Sequence, residues 1–248
     1  MTVASEYVLI DSYFKTERAK RHLEELKTAI ADFLADDPVM VSIEEDAEKQ
    51  ERCYRAVFKQ PHVWTYLIAG DVFQCLRTAL DQAVWWLASK DHADPAWTQF
   101  PIFAEDNTKT RETFARYTKG VPDTAVAVIE SLQPYNRHAG TPLLDNLLWQ
   151  LHEINRIDKH RRISVRATAA RIDTCFSPSI TPIENGCEVV IPFGAPGSEV
   201  DPEFVPLIVF GDRLTGITMQ IHGIERMYEL VAHEILPRLA GCVCLDVP

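Results

Sequence analysis

Apolar residues recur every three or four positions along most of this chain and every second position in a later stretch. From Phe14 to Leu34, Ala19, Leu23, Leu26, Ile30 and Phe33 return at helical spacing with Lys and Glu between them, which predicts an amphipathic helix. Asp36-Asp37-Pro38 ends it. Val39, Val41 and Ile43 then alternate with Met and Ser, the acidic segment EEDAEKQ follows, and Tyr54 to Phe58 resumes the strand-like run. That order predicts a hairpin with a solvated, charged turn.

The longest apolar segment is VWTYLIAGDVFQCLRTALDQAVWWLAS, with Val72, Leu76, Ala79, Leu80, Ala83 and Leu87 on one stripe. It reads as a core helix, and its Trp85-Trp86 pair reads as packing. After a loop containing FPIF, helices are predicted at Arg111 to Lys119 and, opened by Pro122 and Asp123, at Thr124 to Leu132. QPYNRHAGTP is a loop by composition. Leu143, Leu144, Leu147, Leu148, Leu151 and Ile154 define a further helix whose last two turns are INRIDKHR. Beyond it Ile163, Val165 and Ala167 alternate, and CEVVIPF, FVPLIVF and GITMQI are further strand-like runs before a last helix from Ile224 to Leu239. Helices on both sides of the strands predict one α+β domain over 1–248. Its core is a bundle of three to four long helices, about 60–162, with a small antiparallel sheet, about 163–221, packed at its side.

Composition narrows the function classes. The chain has 248 residues, 46% of them hydrophobic and 25% charged, the balance of a globular domain able to bury its own core. Its 36 acidic against 25 basic residues leave a net charge of −11, which argues against a general nucleic-acid or anionic-membrane surface and leaves room for a local basic patch. The six cysteines, Cys53, Cys75, Cys175, Cys187, Cys242 and Cys244, show no C-x-x-C pair, so reduced thiols and a cytoplasmic location are expected. Charges interrupt the N-terminus where a signal sequence would be apolar, and no run is long enough to span a membrane.

The chemistry concentrates in LHEINRIDKHRRISV, Leu151 to Val165. Cations at a helix C-terminus complement its dipole, which accounts for Lys159, His160 and Arg161 without any ligand. The dipole does not account for Asp158, for the amide of Asn155, or for Arg77 and Asp81, which stand four apart on an apolar helix where a charge needs a partner. Arg and Lys can hold phosphate oxygens, and a His near neutral pKa can move a proton. His152, Glu153, Asp158 and His160 also offer metal ligands, but the second His of H-E-x-x-H is missing. No metal and no cofactor is expected.

ERAKRHLEEL, AGDVFQCLRTALDQAVWWL, FPIF, IESLQPY and LHEINRIDKHR together resemble a large group of uncharacterised bacterial and phage-borne proteins. These share an R-x-x-L-D-H/Q helix and an N-x-x-D-K-H-R element. The resemblance covers about the first two thirds of the chain, and its matching positions are Arg77, Asp81, Gln82, Asn155, Asp158, Lys159, His160 and Arg161. A looser similarity is to the HEPN superfamily, helical metal-independent ribonucleases that carry a polar residue and an R-x(4 to 6)-H pattern and assemble their site across a dimer. Here Asn155, Arg156 and His160 give N-R-x-x-x-H, one residue shorter.

Two expectations follow. In one, His160 acts as acid or base with Arg156 and Asn155, while Arg77, Asp81, Asp158, Lys159 and Arg161 bind a phosphate-bearing ligand such as RNA. In the other, a non-catalytic homo-oligomer uses the DKHR cluster as a structural clamp, with Asp158 capping the helix or pairing with Arg77.

Overall fold

The computed structural model describes residues 9–89, 95, 97–173, 179–183, 185–195, 200–212 and 214–244. Cys175 and the start of the chain before Leu9 lie outside them. The first helix, α1 (Ile10–Ala35), begins four residues earlier than its apolar spacing predicts and buries Ala19, Leu23, Leu26 and Ile30 on one stripe. The hairpin β1 (Val39–Asp46) and β2 (Glu51–Phe58) pairs Val39 with Phe58 at its open end and Asp46 with Glu51 at its turn. Its acidic turn is closed by Asp46, whose Oδ1 accepts from the Glu48 and Lys49 amides. Because the hairpin returns the chain to where α1 ended, α2 (Val63–Ser89) runs back along α1. Most of α2 is buried, from Ile68 through Ala88, as its near-continuous apolar sequence requires. Trp85, read from the sequence as packing, is instead half exposed, while Trp86 packs against the core.

Two short helices follow. Asn107 caps α3 (Thr108–Tyr117) through a reciprocal pair of bonds with Thr110, and Pro122 precedes α4 (Asp123–Ser131). The helix α5 (Leu147–His160) starts later than the apolar run at Leu143 predicts. Leu143–Asp145 forms one tight 3-10 turn, and the Asn146 side chain accepts from the Trp149 amide, which fixes the helix start at that cap.

The strand region departs from the expected single sheet. Five more strands follow: β3 (Ser164–Asp173), β4 (Ser179–Ile183), β5 (Gly186–Pro192), β6 (Glu203–Asp212) and β7 (Ile217–Met219). They divide between two antiparallel sheets, ordered β1-β2-β5-β4 and β3-β6-β7. The N-terminal hairpin thus recruits β5, because Tyr54, Ala56 and Phe58 on β2 need a neighbouring strand to complete their buried face. The fold is α+β with two small sheets, and not a simple three- to four-helix bundle with one sheet. Strand β4 was invisible in the pattern because its residues are nearly all exposed, so no alternation marks it.

The last helical stretch runs from α6 (Ile221–Glu229) through a π-helical segment (Leu230–Ile235) into α7 (Leu236–Cys244). It is longer at both ends than predicted. Cys242 and Cys244 lie two apart on α7. One hydrophobic core joins these layers, from Leu26 on α1 and Phe73 on α2 to Phe210 on β6 and Leu239 on α7. Among the described residues no helix is long and apolar enough to cross a membrane.

Candidate functional site

Arg77 occupies the middle of α2 with 6% of its surface exposed. A guanidinium so placed needs compensation, and Asp81, one turn on, supplies it: Arg77 Nη2 donates to Asp81 Oδ1 at 2.8 Å. The same nitrogen donates to the Phe100 carbonyl at 2.7 Å, and the Phe100 amide donates back to Asp81 Oδ1 at 3.0 Å. Burial lowers the Arg77 pKa against the pull of Asp81. Burial likewise raises the Asp81 carboxyl, against Arg77, the Phe100 amide and the Lys159 charge, which favour its ionised form. The loop bearing FPIF is held from the other side by Gln133, itself 2% exposed. Its Oε1 accepts from the Phe103 amide, and its Nε2 donates to the carbonyls of Pro101 and Ile129.

These contacts fix one wall of a cavity of about 410 Å³, a size typical of small-molecule sites. Arg77 from α2, the segment 99–105, Thr110 and Tyr117 from α3, and Trp149 and His152 from α5 enclose it. Arg77 Nη1 is buried and has no hydrogen-bond partner among the described residues; Gln82 Oε1 and Asn155 Oδ1 share that condition. Buried unpaired polar atoms are costly enough to call for an explanation. His152 lies ring to ring with Trp149, centroids 5.7 Å apart. Its pKa is pushed down to about 4, first by burial and then by the Arg77 charge, so it is neutral at pH 7. A larger cavity, about 530 Å³, opens beside α6, but its cationic and imidazole groups, Arg226 and His222, are exposed surface residues.

The residues expected to form a single site separate. Asn155 is buried in α5, whereas Arg156 is exposed and bonded to Glu153, Nη2 to Oε2 at 2.6 Å. Asp158 rests on α2, where a Cβ placed on Gly70 would come within 2.8 Å of both its carboxylate oxygens. Burial and the neighbouring Asp71 raise the Asp158 pKa. Asp158 is not the carboxylate that pairs with Arg77, which is Asp81; on α5 Asp158 is turned about 100° or more from His152 and Lys159 and lies one turn from Asn155. The charge of exposed Lys159 is felt by both Asp81 and His152. His160 is exposed and does not line the cavity. Arg161 lies 3.7 Å from Asp212, and Arg162 covers the Tyr66 ring at 4.7 Å.

Arg77 and Asp81 are thus bonded to each other with His152 near them, the exposed Arg156 and Lys159 act on His152 only through their charge, and Asp158, His160 and Arg161 do not line the cavity. Trp149, Tyr117, Phe103 and Gln133 were not singled out by the charge pattern, and His152 was noted only as a member of the polar helix face and as a possible metal ligand. The three-residue spacing of Trp149 and His152 on one helix face was the signal available for two of them. Among the described residues no three His, Cys, Asp or Glu side chains gather as a metal cluster. Comparison with family models, with curated proteins and with solved structures finds no match to this chain.

Proposed function

We propose that this protein binds a phosphate-bearing ligand in the cavity between α2, α3 and α5. The observation that carries this reading is Arg77. Its guanidinium is fixed by Asp81 and the Phe100 carbonyl through Nη2, which leaves Nη1 buried, charged and unpartnered in a residue that lines a cavity. A phosphate oxygen is a natural acceptor for such a nitrogen, and a preoriented donor loses little freedom on binding. The exposed Arg156 and Lys159, outside the cavity lining, add positive charge around His152. Binding is favoured over cleavage because His152, the imidazole in the wall, has its pKa pushed down to about 4, so that at pH 7 it carries no extra proton to donate and is a weak base.

The test is a calorimetric titration of the whole protein with ribose 5-phosphate, adenosine monophosphate and a short single-stranded RNA. At least one is expected to saturate a single site, with about tenfold weaker binding, ~1.4 kcal/mol, in Arg77→Lys. The lysine keeps a cation for Asp81 and removes the second nitrogen. The RNA is expected to stay intact. No binding by any of the three contradicts the reading.

A second reading has its own observation. Arg77 and Asp81 together satisfy both backbone polar atoms of Phe100, which is what a purely structural clamp would do. Under that reading Arg77→Lys lowers stability and alters no binding curve.

A further inference from the structure

We propose that the ligand of this cavity carries an aromatic ring together with its phosphate, which makes it a member of the nucleotide class and not a sugar phosphate or a simple phosphoanion. The inference rests on the phosphate-binding reading of Arg77 and adds the chemistry of the remaining ligand.

Charge comes first. Asp81 already neutralises most of the Arg77 cation, and His152 in the wall is uncharged at neutral pH. Glu105 also lines the cavity and is exposed. One spare guanidinium nitrogen, helped by an exposed lysine, is weak compensation for an anion that has nothing else to offer. A ligand held here needs a second source of affinity.

The wall supplies one. Phe103 and Tyr117 lie nearly parallel, 19° apart with centroids separated by 6.3 Å, and Trp149 and His152 form a second ring pair at 5.7 Å. All four line the cavity. The exposed Arg116 sits over the Tyr117 ring at 5.3 Å. Flat π surfaces of this kind recognise flat π ligands, and bases stack on aromatic side chains with little dependence on sequence. A sugar or an aliphatic chain would gain contact but no such stacking. The edges of the ring would meet groups able both to give and to take hydrogen bonds: the neutral imidazole of His152 and the amide of Gln99.

The test compares adenosine and uridine monophosphate with ribose 5-phosphate on the whole protein, by calorimetry and by quenching of tryptophan emission. At least one nucleotide is expected to bind ten times more tightly than ribose 5-phosphate and to quench the emission. Trp149→Leu, and independently Phe103→Leu, should bring the nucleotide to within about threefold of ribose 5-phosphate measured on the same variant. Equal affinity of nucleotides and ribose 5-phosphate for the unaltered protein overturns the inference and leaves the phosphate reading standing. Absence of binding by all three overturns both.

Discussion

Arg77 and Asp81, one helical turn apart on α2, act jointly on a single residue elsewhere in the chain: Arg77 donates to the Phe100 carbonyl and Asp81 accepts from the Phe100 amide. Two charges in an apolar helix thereby become the anchor of the FPIF loop, which in turn forms a wall of the cavity.

Breaking this grip should be costly in a particular way. Asp81→Asn leaves the buried Arg77 cation without its anion and is expected to lower stability by about 3 kcal/mol. An isolated buried pair can often be replaced by apolar residues at no cost. Here Arg77→Met with Asp81→Leu should remain at least ~2 kcal/mol below the unaltered protein, because both polar atoms of Phe100 lose their partners. Urea unfolding measures both variants, and a double variant as stable as the original protein would show that Phe100 is satisfied in some other manner.

Gly70 and Asp158 form a second contact between α2 and α5. Alanine in a helix interior is favoured over glycine by about 1 kcal/mol, yet a Cβ at position 70 would meet the Asp158 carboxylate at 2.8 Å. Gly70→Ala is therefore expected to be nearly neutral on its own, the helix-propensity gain being offset by the shift that the Asp158 carboxylate must make. In an Asp158→Ala background the same change should stabilise by about 1 kcal/mol. Equal effects in both backgrounds would mean that the two helices do not approach as described.

His152 imposes a pH dependence. Its folded pKa is about 4 against an ordinary 6.5, so the unfolded chain binds the proton more readily. The contribution of the neutral ring is fully present above about pH 6.5 and is lost as pH falls toward 4. His152→Gln should flatten the stability profile in that window without altering it above pH 7. A profile with unchanged slope in the variant would assign the dependence to other groups.

Much of the fold was legible because its helices bury one stripe each. The α2 core and the β1-β2 hairpin follow from periodicity alone, as Leu76 and Leu80 or Tyr54 and Phe58 illustrate. The division into two sheets was not legible, because strand partners are chosen by long-range packing and nothing local to Tyr54 announces β5. At the site, Arg77 and Asp81 stood out as charges in an apolar helix. His160 drew attention through the density of charge around it, but charge density at a helix end marks solvent exposure as readily as function, and His160 is exposed. His152, eight residues earlier, shared the polar helix face in the sequence, but its place in a cavity wall followed only once folding set it against Trp149 and near Arg77.

The most direct measurement is a crystal structure of the protein grown with adenosine monophosphate. Phosphate binding by Arg77 requires a phosphate oxygen about 3 Å from Nη1, with the Nη2 bonds to Asp81 and Phe100 retained. A nucleotide seated instead at the exposed end of α5, beside His160 and Arg161, or an Nη1 still unpartnered in a cavity filled by other contacts, would contradict it.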